Sequence, residues 1–439
     1  MVTPEEAYAL IEKWLPYDGY DLILDLKKSK GQWLYDSRHK RKILDFFGFF
    51  ASSPLGMNHP KMFEQDFLKR LKYASVNKVT NGDTYTVEMA EFVEAMASIS
   101  PSSMKHMFFV EGGALAVENA LKTAFDWKVR KNMSNGATEE RGSKVIHLKE
   151  AFHGRTGYTL SMTNTSDPNK IKYYPKFDWP RVTNPKITFP LNDENLKKVK
   201  ELEQKSLDEI QEAIYKYGND IAAFIMEPIQ AEGGDNHFRE EYFKAVREIT
   251  AKNDILFIVD EVQSGMGITG KWWAYQHFDF EPDIITFAKK SQCCGILANG
   301  KIDDVEDNVF HVPSRINSTW NGNITDMVRS TQMIKIMKEE NLLENAEKSG
   351  RYLLKRLEEL QSAYPLIFSN ARGRGVMCAI DLKDKQMRDK YISELFKKKL
   401  LLLKCGERSV RFRPPLIVGK EEIDMAFEIM IKVATKMRP

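Results

Sequence analysis

The sequence contains little cysteine, with four residues in a chain of 439. Cys293, Cys294, Cys378 and Cys405 do not form the CxxC spacing of a zinc or redox site. So few cysteines exclude a fold built on a disulfide framework. We expect no metal site and a location in the reducing cytoplasm.

Long apolar runs and an excess of one charge are also missing. The densest apolar stretches, 255–259 and 400–403, are short, and a membrane span needs about 20 residues. The first residues, MVTPEEAYALIEKW, carry two early glutamates and do not resemble a signal peptide. Lys and Arg total 65 against 62 Asp and Glu, which gives a formal charge of only +3. We therefore expect neither a membrane nor a nucleic acid as a partner.

What the middle of the chain does have is short apolar segments alternating with helical patterns. Such alternation predicts an α/β fold with a mainly parallel sheet covered on both faces. The predicted strands are MFFV at 107–110, KVIHL at 144–148, AAFIM at 222–226, ILFIV at 255–259 and IITFA at 284–288. The segment 191–217, rich in Glu and Lys, is predicted to be a charged helix.

The two ends of the chain have a different pattern. After residue 323 helices predominate, with GVMCAIDL and SVRFRPPLIV as strands between them. This end therefore predicts a smaller α+β domain. The hairpin-like segment WLYDSRHKRKILDFF would join it. We predict a large domain over 71–329 and a small domain made of 1–70 together with 330–439.

Two successive predicted strands end in side chains suited to catalysis. ILFIV is followed by Asp260 and Glu261, and the next strand ends at Lys289. Ligands bind beyond the carboxyl ends of strands in open parallel sheets. A carboxylate and a lysine there suit a pyridoxal phosphate enzyme, in which the lysine forms a Schiff base and the carboxylate keeps the pyridine nitrogen protonated. By themselves, however, such residues are more often loop charges that face solvent.

A further feature upstream suits the phosphate of such a cofactor. MFFV is followed by Glu111, two glycines and Ala114, and then by a helical segment. A helix that begins at small residues exposes backbone N–H groups and the positive end of its dipole to an anion. A plain structural turn has the same composition, so this motif is weak evidence without the others.

Together these segments resemble the class III aminotransferases from about residue 22 to near the C terminus. The resemblance rests on FFVEGGALAVENALKTAFDWK, EAFHGRTGYTLSMTNT, PKFDWPR, EPIQAEGGDNHF, DEVQSGMGITG, PSRINSTWNGN and VRFRPPL. It implies the fold type I of pyridoxal 5'-phosphate enzymes, with a large domain around a mostly parallel sheet and a smaller α+β domain. It also implies a homodimer with shared active sites.

The resemblance also implies roles for individual residues. Lys289 would form the Schiff base, because the family spacing places the reactive lysine first, and Lys290 would be structural or would support the site without touching the cofactor. Asp260 would pair with the pyridine nitrogen. The other implied cofactor positions are Gly113 and Ala114 for the phosphate, Phe152 and Val262 for the two ring faces, Gln263 for the ring hydroxyl, and Thr319 for the phosphate of the partner subunit.

The implied reaction moves the ε-amino group of L-lysine to 2-oxoglutarate and yields L-glutamate. By resemblance, Arg155 would hold the distal carboxylate of either substrate. Arg411 would bind the α-carboxylate of 2-oxoglutarate, and Glu232 would pair with Arg411 when that carboxylate is absent. Asn317 is a candidate for recognition of the lysine α-amino group.

Several alternatives stay open at this point. Another amino donor, 4-aminobutyrate or ornithine, would also present a distal carboxylate. A racemase or an intramolecular amino transfer would need no 2-oxoglutarate. A binding protein that kept only the fold is a further alternative, although retention of both Asp260 and Lys289 argues against it.

Overall fold

A computed structural model describes residues 2–16 and 19–437 of the chain. Its helices are α1 Pro4–Trp14, α2 Gly48–Ala51, α3 Gln65–Val76, α4 Val87–Ala97, α5 Gly113–Ser134, α6 Gly157–Met162, α7 Asp193–Tyr217, α8 Glu240–Lys252, α9 Ile324–Glu339, α10 Leu342–Ala363, α11 Lys385–Lys397 and α12 Lys420–Lys436. Its strands are β1 Trp33–Asp36, β2 Arg41–Asp45, β3 Met104–Val110, β4 Lys144–Leu148, β5 Arg181–Val182, β6 Ile221–Met226, β7 Leu256–Asp260, β8 Ile284–Phe287, β9 Cys294–Asn299, β10 Phe368–Arg374, β11 Met377–Leu382, β12 Leu400–Leu401, β13 Leu403–Cys405 and β14 Ser409–Phe412.

The main sheet has seven strands in the order β3-β9-β8-β7-β6-β4-β5. All five strands predicted from the apolar segments lie in it. They run parallel to one another, whereas β9 is antiparallel to its neighbours β3 and β8. The strand β9 was not predicted, because its sequence, CGILAN, contains a glycine and is not separated from β8 by a helix.

Both faces of this sheet are covered, which explains why its strands are apolar at successive positions. Phe257 and Phe287 pack into one core on the side of α3, α4, α8 and α9. Ile258 and Ile284, on the opposite faces of the same two strands, pack into a second core against α5. Since side chains alternate between the faces of a strand, only a sheet buried on both faces selects apolar residues throughout.

Two smaller sheets form from the two ends of the chain. One has the order β1-β2-β12, and its antiparallel β1-β2 pair is the predicted hairpin. The other has the order β10-β11-β14-β13 and is antiparallel throughout. The predicted strands GVMCAIDL and SVRFRPPLIV correspond to β11 and β14, so this end has the α+β character that the sequence predicts.

The predicted domain boundaries remain a prediction. Helix α9 crosses the boundary at 329/330, and it contributes Ile324 and Val328 to the core of the main sheet but Met333 and Ile336 to the core of the smaller sheets. The parts of the predicted small domain at residues 1, 17–18 and 438–439 lie outside the described residues. Within the described ranges, no helix combines the length and apolar character needed to cross a bilayer.

An unusual turn connects the small sheets to the centre of the molecule. The four residues of α2, Gly48–Ala51, all have positive φ angles, between 52° and 69°. Gly48 cannot carry a side chain there, because a Cβ atom would lie 2.2 Å from the carbonyl oxygen of Arg413. Phe49 and Phe50 adopt a backbone conformation that costs about 1–2 kcal/mol per residue. Such strain is common where a functional site fixes the backbone.

Candidate active site

The side chains predicted to carry chemistry meet at one edge of the main sheet. Asp260 ends β7 and Lys289 follows the adjacent strand β8, with Asp260 paired in register with Thr286. The N terminus of α5, at Gly113, lies against the same edge. The strands of a parallel sheet all deliver their carboxyl ends to this side, so residues far apart in sequence converge.

Asp260 is a buried carboxylate held by three hydrogen bonds. Its Oδ2 atom lies 2.8 Å from Nδ1 of His153, which is itself buried. Its Oδ1 atom accepts hydrogen bonds from the Thr286 hydroxyl at 3.2 Å and from the Val262 backbone N–H at 3.0 Å. These groups orient the carboxylate, and in the described part of the chain no arginine or lysine forms an ion pair with it.

The two adjacent lysines differ in environment. Burial, together with the positive charge of Arg411, lowers the pKa of Lys289, so a larger fraction of it is free amine than in an exposed lysine. Lys290 instead points into the protein, where its Nζ donates to the carbonyl oxygens of Gln263 at 2.7 Å and Ala51 at 3.2 Å. These two hydrogen bonds hold the ammonium of Lys290 against backbone carbonyls.

The start of α5 has the form of an anion site. Gly112 precedes it with φ +112°, and in the described chain no side chain caps this end of the 22-residue helix. A Cβ atom at Gly113 would lie 3.1 Å from the side chains of both Ala288 and Val262, so the helix end is closely packed beside the residue that precedes Lys289. The uncapped N–H groups and the helix dipole suit a phosphate.

Arg411 and Arg413 reach the site from β14 and the residue that follows it. Arg413 is fully buried and forms a two-bonded ion pair with Asp235. Arg411 is also buried, and the oxygen of the Gln263 side chain accepts a hydrogen bond from its Nη1 atom at 3.3 Å. Among the described residues, its Nε atom has no partner. Arg411 is therefore a buried cation with no paired carboxylate in residues 2–16 and 19–437.

The predicted pair between Glu232 and Arg411 is not formed in this structure. Glu232 instead accepts hydrogen bonds at Oε1 from Lys170 Nζ at 2.6 Å and from the Thr165 hydroxyl at 2.8 Å. The physical reason is that the ammonium of Lys170 already pairs with the Glu232 carboxylate. Its charge still raises the pKa of Arg411, although burial lowers that pKa more, so the two groups are electrostatically coupled.

Four further predicted residues are less buried than Asp260. Arg155 is exposed and lines a cavity of about 650 Å³ together with Lys170. Phe152 is partly buried, and its ring centroid lies 5.9 Å from Lys170 Nζ. Thr319 and Asn317 are exposed in a loop. None of the contacts described for them joins them to Asp260 or Lys289 of the same chain.

A comparison with known families identifies the chain. The model of the family described as aminotransferase class III matches residues 17–434. The chain belongs to the class III aminotransferases. The expected fold class is thereby confirmed, with a large, mostly parallel sheet and a smaller sheet-containing part.

Individual relatives of this class III aminotransferase are similar over nearly their whole length. It is 47% identical to L-lysine-epsilon aminotransferase of Mycobacterium tuberculosis over 97% of this chain and 94% of that protein. It is 34% identical to the human mitochondrial 4-aminobutyrate aminotransferase over 91% of this chain and 82% of that protein. The solved structure of lysine aminotransferase from M. tuberculosis superposes with a TM-score of 0.97, at 46% identity, covering 99% of this chain and all of that one.

The sequence did not reveal every polar residue of this aminotransferase site. His153, the partner of Asp260, belongs to the HGRT motif, but its role depends on contact with a strand over 100 residues away. Glu227 also went unnoticed. It is buried behind Phe152 and accepts hydrogen bonds from the backbone N–H groups of Phe152 and Ala231, both at 3.0 Å. Burial, and secondarily the charge of Asp260, raises the pKa of Glu227 to about 7.

Glu261, the neighbour of Asp260, faces the opposite side of β7 and gives a prediction about stability. It is buried against Ser264 and Tyr275, and burial raises its pKa from 4.5 to about 7. The folded protein therefore holds this proton more tightly than the unfolded chain. The resulting stabilisation is complete below pH 4.5 and is lost as the pH rises through about 7.

Glu261→Gln should remove this pH dependence. Between pH 5 and pH 8, the unfolding free energy of the variant should rise relative to that of the wild type by up to about 3 kcal/mol. Denaturant unfolding of both proteins at the two pH values measures this difference. Glu201→Gln, on an exposed part of α7, is the control, and the difference between its unfolding free energy and that of the wild type should be the same at both pH values. A difference between Glu261→Gln and wild type that is the same at both pH values would contradict the assignment.

Proposed function

We propose that the chain transfers the ε-amino group of L-lysine to 2-oxoglutarate, with pyridoxal 5'-phosphate as cofactor. The products are L-2-aminoadipate 6-semialdehyde and L-glutamate. The observation that carries this proposal is the placement of Asp260 and Lys289 on adjacent strand ends, beside the buried, unpaired Arg411. The preference for lysine is supported by the higher identity to the relative named for lysine than to the one named for 4-aminobutyrate, 47% against 34%.

The residues of the site fit this cofactor. The uncapped start of α5, at Gly113 and Ala114, offers backbone N–H groups for the phosphate. The Asp260 carboxylate is oriented by its hydrogen bonds and would pair with a protonated ring nitrogen. Lys289 Nζ would hold the aldehyde covalently, and its lowered pKa favours the free amine that this bond needs. Val262 and Phe152 would cover the ring faces and exclude water.

When bound, the cofactor supplies an aldehyde that bonds a primary amine and a ring that takes up the electron pair left when a proton leaves the amine-bearing carbon. Asp260 keeps the ring nitrogen protonated, which makes that uptake favourable. The Lys289 amine would accept the proton from the substrate ε-carbon and later return it, as general base and acid. Gln263, which already contacts Arg411, would approach the ring hydroxyl.

Two arginines would let one pocket accept two unlike substrates. Arg155 at the cavity wall binds the carboxylate farthest from the reacting carbon, in lysine as in 2-oxoglutarate. Arg411 binds the α-carboxylate of 2-oxoglutarate, and its free Nε atom is available for a second hydrogen bond to that group. Lysine presents no carboxylate at its reacting carbon. Glu232 would then move to Arg411, because a buried arginine without a partner costs about 3–5 kcal/mol.

We further propose a homodimer in which the loop around Thr319 completes the site of the other subunit. Support comes from the exposure of Thr319, Asn317 and Trp320 in the monomer, where they lie in one surface loop. Thr319 would reach the phosphate, and Asn317 the lysine α-amino group. We place the enzyme in the cytoplasm, where its four buried thiols would stay reduced.

A panel of amino donors tests the proposed substrate. With 2-oxoglutarate as acceptor, kcat/KM for L-lysine should exceed that for 4-aminobutyrate and for L-ornithine by at least about tenfold, since a pocket shaped for one chain length discriminates by 1–3 kcal/mol. Formation of L-glutamate is the readout, and omission of 2-oxoglutarate should abolish turnover. A higher kcat/KM for either competing donor would refute the lysine assignment. Turnover without 2-oxoglutarate would instead indicate racemisation or an intramolecular amino transfer.

A further inference from the structure

We propose that Lys170 is a specificity-determining residue, which holds Glu232 away from Arg411 while a dicarboxylate is bound. This inference rests on the proposed two-substrate function. It starts from the pairing in the structure, where Glu232 contacts Lys170 and Thr165 rather than Arg411. Glu232 would alternate between two cations, Lys170 when the acceptor is bound and Arg411 when the amine donor is bound.

In the described part of the chain, Glu232 and Arg411 each have one buried polar side-chain atom without a hydrogen-bond partner. Lys170 and Thr165 occupy only the Oε1 atom of Glu232, and its Oε2 atom is buried without a partner in the described part of the chain. The Nε atom of Arg411 is in the same condition, while the weak 3.3 Å contact with Gln263 holds its Nη1 atom. Because a buried polar atom without a partner is costly, Arg411 gains a bond when either Glu232 or a substrate carboxylate reaches it, and Glu232 gains one when it reaches Arg411 itself.

Lys170 provides a cation for Glu232 when Arg411 is occupied by a substrate carboxylate. When 2-oxoglutarate occupies Arg411, Glu232 must withdraw, and its side chain is only 13% exposed. A carboxylate left there without a cation would oppose acceptor binding. Lys170 supplies that cation. When Glu232 leaves it in the other half-reaction, the cost is low, since the Lys170 side chain is 34% exposed and its ammonium can return to water.

Lys170 lies at the end of a short turn and lines the cavity that contains Arg155. It ends the short turn Pro168–Lys170, whose start is held by the Asp167 side chain. Thr165 accepts a hydrogen bond from the Asp167 backbone N–H at 3.2 Å, so both donors to Glu232 are anchored in one segment. Lys170 also lines the cavity beside Arg155. One of the two donors that hold Glu232 in its withdrawn position is therefore part of the cavity wall.

Dicarboxylate binding by the cofactor-loaded dimer tests the inference. Glutarate would engage both arginines without reacting, whereas pentanoate would need only Arg155. In Lys170→Met, the Kd of glutarate should rise about tenfold, equivalent to 1.4 kcal/mol, while the Kd of pentanoate changes little. Lys170→Arg keeps the charge and should bind glutarate like the wild type. Isothermal titration calorimetry measures each Kd.

A double-mutant cycle separates this role from a structural one. In a Glu232→Gln background no carboxylate competes for Arg411, so adding Lys170→Met should leave the glutarate Kd unchanged. An unchanged glutarate Kd in the single variant Lys170→Met, or an equal rise in both backgrounds, would overturn the inference. Because the readout uses no amino donor, failure of the lysine assignment in the donor panel would not affect it, and the two failures are distinguishable.

Discussion

Lys289→Ala should lower kcat for L-glutamate formation by at least about 10⁴-fold, because the proton transfer assigned to its amine has no substitute. Its burial beside Arg411 lowers its pKa and so favours the free amine that can accept a proton. Lys290 cannot take over, since its Nζ is bound to the carbonyl oxygens of Gln263 and Ala51. Steady-state assays with saturating cofactor measure the loss.

Two controls make the Lys289 result specific. Lys404→Ala, at an exposed lysine on β13 close to Arg411 in the neighbouring strand, should keep wild-type activity. Added methylamine should restore part of the lost rate in Lys289→Ala, because a small amine fits the vacated space. Retention of more than about a tenth of the wild-type kcat without added amine, well above what loss of a general base allows, would exclude Lys289 from the proton transfer.

Asp260→Asn has the second largest expected effect, a loss of about 10³-fold in kcat, typical for removal of a positioned electrostatic group. The amide keeps an oxygen for the hydrogen bonds from Thr286 and Val262, so the local geometry is retained. What it loses is the negative charge that keeps the ring nitrogen protonated. The KM for the amino donor should change little, since Asp260 does not contact the substrate carboxylates.

The adjacent acid provides the matched comparison. Glu261→Gln makes the same chemical change one residue away, but this side chain faces Ser264 and Tyr275 on the other side of β7. It should retain most of its activity while showing the altered pH dependence of stability described above. Equal losses of kcat in the two variants would mean that the effect of Asp260→Asn comes from disturbance of the strand.

The sequence predicted the main sheet well because a strand buried on both faces leaves an unambiguous apolar run. It predicted the hairpin of β1 and β2 and the strands β11 and β14 for similar local reasons. The strand β9 was missed because its pairing with β3 and β8 is antiparallel and not marked by a connecting helix. The left-handed turn at Gly48–Ala51 was also missed, since contacts with Arg413 and Lys290 impose it from distant parts of the chain.

In the site, too, the sequence predicted what depends on local pattern but not the contacts between residues far apart in the chain. The sequence places Asp260 and Lys289 at strand ends, and the parallel topology brings them together. The contact of Asp260 with His153 and the pairing of Glu232 with Lys170 could not be read from spacing. Each depends on which of several nearby charges is closest after folding, and a difference of a few ångströms decides the partner.

The attachment point of the cofactor tests the whole proposal most directly. Purified protein saturated with pyridoxal 5'-phosphate can be reduced with borohydride, digested and mapped by mass spectrometry. We predict one modified lysine, Lys289, and an unmodified Lys290. Attachment to Lys290 or to any other lysine, or no covalent attachment at all, would contradict the assignment of Lys289 and with it the roles of Asp260 and Arg411 derived from it.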